Sequence, residues 1–252
     1  MEISELITII REDYLDDTFS GWESASDAEK ADQFLWTDAS LLRYLTEAQR
    51  QACNRTDFLY DDESFSITLV AGSPTYPISN LITRIEQVSF AEKTVAHVSK
   101  AQLQKEHPRW RTDSGIGTLD AKYTIRSRKL RMYPIPDAAD AGGIVYLETY
   151  RLPLESITSA SDELEIPDEY HRDLIWWVLY EAYSKQDADG YDKERGLMYL
   201  SQFEQVFGPV IDSRVRTHQL QEDSSATFAG VDYNSGSRLN KKESDADSVW
   251  YN

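Results

Sequence analysis

Glu165–Gly208 reads EIPDEYHRDLIWWVLYEAYSKQDADGYDKERGLMYLSQFEQVFG, and two helices can be read from it. Pro167 suits a first helical turn, where its missing N–H is not needed. Asp168 and Glu169 follow, and acids favour a helix N-terminus. Leu174 to Tyr183 is apolar on nearly every face, with Glu181 its one charge. A helix apolar all round is a buried one, so Leu174, Trp177 and Val178 are predicted core residues. Gly190 breaks the pattern within the polar run 186–190, and Asp192 can cap a second helix. Leu197, Leu200, Phe203 and Phe207 then form one stripe at helical spacing, with Leu200 and Phe203 in the core. Gly208-Pro209 ends it. The stretch is a predicted helical hairpin on which the rest of the chain packs.

Working outward, residues 3–19 carry Ile3, Leu6, Ile7, Ile10 and Tyr14 at helical spacing. After the polar loop 21–33, Thr37 or Asp38 can cap a helix over about 38–57, with Leu41, Leu42, Leu45, Ala48, Ala52 and Cys53 along one side. Two helices at each end of the chain would make a four-helix unit. The middle differs in kind. Phe65, Ile67 and Leu69 alternate, 81–91 reads as a strand, and 121–135 reads as a hairpin with Ser127-Arg128 near its turn. Lys100–His107 reads as a short helix closed by Pro108, and about 144–150 as a further strand.

The expected architecture is therefore α+β: mainly a helical bundle of about four helices, with an inserted small antiparallel β-sheet domain and an extended C-terminal arm. The expected segments are 1–62 (N-terminal helices), 63–154 (inserted β domain), 155–209 (helical hairpin) and 210–252 (arm). The arm has no sustained period yet keeps Phe228, Tyr233, Val249, Trp250 and Tyr251. Such a segment reads either as a loose tail or as an arm whose aromatics order on a partner.

With 252 residues, 40% of them hydrophobic, the chain can bury a real core. Its single cysteine, Cys53, excludes an internal disulfide and a cysteine zinc site. No apolar run reaches membrane-spanning length and no secretory leader opens the sequence, so intracellular folding without a membrane partner is expected. A net charge of −18 argues against a protein that grips nucleic acid over its whole surface. The charge is uneven: residues 1–63 hold 16 acids and 5 bases, whereas residues 97–133 hold 3 acids and 9 bases. Asp13, Asp16 and Asp17 in the first segment, and Arg126, Arg128, Lys129 and Arg131 in the second, are candidates for contacts between copies; the plainer reading is solvated surface charge.

The motifs of common chemistries are missing. Asp187-Ala-Asp189-Gly190 resembles the start of a calcium loop, but its glycine comes too early and no closing Glu follows. His171 has no second histidine one turn away and reads as an exposed or capping residue. Gly115-Ile-Gly117 lacks the context of a dinucleotide site. No phosphate loop, nucleophile elbow or zinc-protease motif occurs. The expectation is a non-enzyme without cofactor or metal.

Several strings, in order, resemble the head-to-tail adaptor proteins of tailed bacteriophages, including tail tubular A-like and head-completion connectors: ASLLRYLTEAQRQACNRTDFL, AGSPTYPI, LRMYPIPDAADAGGIVYLETYRLPL, LEIPDEYHRDLIWWVLYEAYSKQDAD and FEQVFGP. They span about 37–209. The resemblance implies a structural virion protein at the head–tail junction, assembled in the bacterial host cytoplasm. It implies a ring of about twelve copies between the portal and a tail tube or nozzle protein. Double-stranded DNA would pass through the ring without specific binding. It also implies that a C-terminal extension docks on the portal, making Phe228, Tyr233, Val249, Trp250 and Tyr251 candidate portal contacts. Two other classes stand beside it: a tail-associated cell-wall hydrolase using acids such as Glu165, Asp168 or Glu169, and a monomeric binding or regulatory module.

Overall fold

The structure, a computed structural model, describes residues 1–26, 29–30, 33–116, 121–186, 190–212 and 215. Its α-helices are α1 (Ile3–Ile9), α2 (Asp38–Arg55), α3 (Lys100–Glu106), α4 (Ile175–Ser184) and α5 (Lys193–Phe207). Among the described residues there are thus five α-helices, and nine strands stand beside them in two sheets. This corrects the expectation of a mainly helical bundle of four helices with one small sheet. The strands Leu59–Asp61 and Thr75–Pro77 went unread because each is only three residues long. A period of two cannot show itself over so short a run.

The helical core joins both ends of the chain. Ile3, Leu6 and Ile10 meet Leu45 and Ala48 of α2, Leu174 and Val178 at α4, and Phe203 and Phe207 of α5. The Thr37 side chain accepts the Ser40 amide at the start of α2, and Asp192 accepts that of Arg195 at the start of α5. Each thereby satisfies one N–H that the first helical turn leaves unpaired. The buried stripe of α5 is Gly196, Tyr199, Phe203 and Phe207. It is displaced from the expected one: Leu197 is exposed and Leu200 half-buried. Gly196 is the cause, because a Cβ there would stand 3.2 Å from Ser184 Oγ and 3.6 Å from the Tyr180 carbonyl. The missing side chain lets α5 lie close on α4, where Tyr183 and Tyr199 stack at 5.7 Å.

The first helix also departs from expectation. It does not run to residue 19 but widens into a π-helical segment, Ile10–Leu15, and ends at Asp16 in the left-handed region (φ 49). Asp17 then turns inward. Its carboxylate takes Arg11 NH1 at 2.6 Å and the amides of Leu35 and Trp36.

The longest part of the sheet structure is a pair of antiparallel strands, β4 (Ile82–Phe90) and β9 (Ile144–Arg151). On the other edge of β9 lie β1 (Leu59–Asp61) and β2 (Ser66–Thr68), pairing with successive halves of it, and β5 (Lys93–Thr94) extends β4. The second sheet runs β3 (Thr75–Pro77), β8 (Lys129–Tyr133), β7 (Lys122–Arg126), β6 (Ala96–His97), with β6 and β7 parallel. Val88, Val145 and Leu147 from the first sheet share one core with Tyr76, Ile125, Leu130 and Met132 from the second. Two inner faces thus form a small sandwich.

Candidate functional site

Arg151, at the end of β9, joins the sandwich to the helices. Its Nε donates to Asp61 Oδ2 at 2.5 Å, and its NH1 reaches Glu165. Glu165 also accepts the Leu154 amide at 2.7 Å, and its own amide donates to Gln49 of α2. Burial alone would raise the Asp61 pKa, but the Ser64 and Glu63 amides and Arg151 together hold it below the ordinary carboxylate range. Glu165, a candidate acid for hydrolysis, is thus taken up by a structural junction. His171 is buried, not exposed, with ring nitrogens 3.1 Å from the Met1 carbonyl oxygen and 2.8 Å from that of Ile166. Among the described residues no group of three metal-ligating side chains gathers. The Asp187–Asp189 loop lies outside the described residues.

The basic stretch forms a different kind of site. The β7–β8 hairpin turns through Ser127 and Arg128, both with positive φ (51 and 55), a conformation matched to strand twist. Strand alternation then sends alternate side chains to opposite faces. Ile125 and Leu130 enter the core, while Arg126 and Lys129 stay exposed. Together with Lys100 and Arg131 they line a groove of about 510 Å³ with Trp110 at its wall and, among the described residues, no carboxylate in its lining. Trp110 is buried, and the guanidinium carbons of Arg111 and Arg131 each lie 4.5 Å from its ring centroid. Burial, with Arg111 beside it, lowers the Arg131 pKa from its ordinary value; a guanidinium stays charged nonetheless. Among the described residues the buried Nε of Arg131 has no hydrogen-bond partner.

The candidate contact residues divide. Arg126, Lys129 and Arg131 share the groove; Asp13 and Asp16 are exposed on the turn that ends the first helix. Arg128 and Asp17 are engaged within the subunit. Arg128 donates to the carbonyls of Ser79 and Ile82 at 2.5 and 3.0 Å, and Asp17 is buried against Arg11. Leu174, Trp177, Val178 and Phe203 are buried, and Leu200 packs against them from a half-buried position. Phe228, Tyr233, Val249, Trp250 and Tyr251 lie outside the described residues.

Sequence reasoning passed over Trp110, Arg111 and Lys100, which are brought to the groove by α3 and the loop after it. It also passed over Arg55. The Arg55 side chain is 1% exposed and donates to the Gly208 carbonyl at 2.9 Å, with Trp177 and Phe203 rings beside it. It ties the end of α2 to the residue where the chain leaves α5. Basic residues at helix ends and beside a Trp were the available signal, but nothing in one sequence says which of them fold together.

No helix among the described residues is long and apolar enough to cross a membrane. The family model for the SU10 adaptor protein matches residues 1–227. No curated protein matches the chain.

Proposed function

The chain belongs to the SU10 adaptor protein family, a family of phage head-to-tail adaptors, and from that premise we propose that copies of it form a ring between portal and tail through which the genome passes. Its coarser role follows from membership itself: a structural virion component that meets other phage head and tail proteins. In the proposed ring the helical segments, 1–62 and 155–209, form the wall. The β segment, 63–154, contacts tail components or neighbouring copies, and the arm, 210–252, docks on the portal. Arg55 supports this division of labour, since its bond to the Gly208 carbonyl holds the end of α5 to α2 at the boundary between wall and arm. The net charge of −18 supports the passage of DNA, because an acidic lumen repels phosphate and does not trap it.

The observation that carries the proposal is the family match over residues 1–227. The test is electron microscopy of the full chain co-expressed with the portal of its own phage. A ring capping the portal is expected. Bare portals beside free monomers would overturn it.

A further inference from the structure

We infer that the groove between Lys100, Trp110, Arg126, Lys129 and Arg131 receives the carboxylates of Glu12, Asp13 and Asp16 from a second copy of this chain. The inference rests on the proposed ring and adds to it which surfaces meet.

The groove is short of anions. Among the described residues four cations line it and no carboxylate does. Arg111 and Arg131 are held together on one indole ring, where their like charges repel. Arg131 is half-buried beside that ring. An anion entering the groove offsets the repulsion among these cations.

The acidic turn has the complementary lack. Glu12, Asp13 and Asp16 are exposed, and none of them forms an ion pair among the described residues. Their backbone is nevertheless fixed: Arg11 is buried beneath them and clamps Asp17 at 2.6 Å and the Trp36 carbonyl at 2.7 Å. Carboxylates on a rigid turn lose little freedom on docking. Within one copy no ion pair joins turn and groove, so they are two distinct surfaces. A contact between unlike surfaces is head-to-tail, the kind that closes into rings.

Duplex phosphate is the weaker candidate. A strong grip on duplex takes roughly six to ten phosphate contacts along a track, whereas this groove offers four cations on an otherwise acidic chain.

The test exchanges the charges. One full-length variant carries Arg126→Glu and Lys129→Glu; the other carries Glu12→Lys and Asp13→Lys, leaving Asp16 in its left-handed conformation. In a ring of either variant alone, the introduced charges face residues of their own sign at every contact, against a groove that in the first variant keeps only Lys100 and Arg131 as cations. In a one-to-one mixture, contacts that bring the altered turn to the altered groove set the introduced lysines against the introduced glutamates. Light scattering and electron microscopy, with and without co-expressed portal, are expected to show wild-type rings. Each variant alone should associate at least about tenfold more weakly, with assembly regained on mixing. Variants that assemble like the wild type sink this inference and leave the ring standing. So does a mixture that fails to assemble although both variants unfold at the wild-type urea midpoint. A wild-type protein that never forms rings sinks both. Retention of a short DNA duplex by the wild type, lost in the Arg126/Lys129 variant, would assign the groove to phosphate instead.

Discussion

Arg11 and Asp17 meet at 2.6 Å in the interior of the subunit, and neither can be replaced alone without cost. Arg11 also donates to the Trp36 carbonyl and Asp38 Oδ1, both at 2.7 Å, and its guanidinium carbon lies 3.5 Å from the Phe34 ring centroid. Removing the cation leaves a buried carboxylate unpaired. Arg11→Met should therefore destabilise the subunit by roughly 3–5 kcal/mol in a urea melt. Asp17→Asn should cost less, because its amide oxygen still accepts one of the two backbone amides that Asp17 holds. Equal and small losses for both would mean that the pair is exposed to solvent.

The same pair shows how far the sequence could be read. Arg11 sits between apolar positions of the first helix and looks like a polar face residue. Its burial depends on residues 17, 36 and 38 folding back over it, which periodicity does not encode. The second helix of the hairpin at 165–208 was legible because the Asp192 cap and Gly208 are local signals, and the first because its run is nearly all apolar. Gly190 was read as a break; its further reason is tertiary, since a Cβ there would stand 2.7 Å from the Trp36 ring. The sandwich was under-read because β1 and β3 gain their identity from β9 and β8, far along the chain. In the groove, Arg126 and Lys129 were visible as a basic run, whereas Trp110 joins them only through tertiary packing.

Trp177 is buried among Tyr180, Phe203 and Arg55. Trp177→Ala should destabilise the subunit by roughly 3–5 kcal/mol, the cost of emptying a large aromatic site. Its indole N–H has no partner among the described residues. Trp177→Phe therefore removes an unsatisfied donor along with some volume, and should cost less than half as much as the Ala variant. Urea midpoints decide it; a Phe variant as damaged as the Ala variant would show that the indole nitrogen is engaged.

Glu181, on α4, has its pKa raised, first by burial and then by Glu47 on α2. Ionisation is thus harder in the folded state than in the unfolded one. Below the ordinary glutamate value the residue is protonated in both states and contributes no difference. As pH rises through that value to the raised folded one, stability is lost, and the loss persists at neutral pH. Glu181→Gln should therefore stabilise the protein at pH 7, with the gain disappearing by about pH 4. Thermal melts at both pH values test this; a gain of the same size at each would place its origin in packing and not in charge.

Removing residues 210–252 separates folding from docking. Among the described residues the helical core's last buried side chain is Phe207, and Arg55 donates to the Gly208 carbonyl, so both remain in a chain that stops at 209. The unfolding free energy of the truncated protein should stay within about 0.5 kcal/mol of the full chain, the range of changes away from buried structure. If the arm carries the portal contacts proposed for Phe228, Tyr233, Val249, Trp250 and Tyr251, capture of the truncated protein by its portal should fall at least about tenfold, a loss of about 1.4 kcal/mol. Substituting Trp250 and Tyr251 with Ala in the full chain should reproduce much of that loss, because aromatic anchors dominate such contacts. Undiminished capture of the truncated protein would move the portal contact onto the folded subunit.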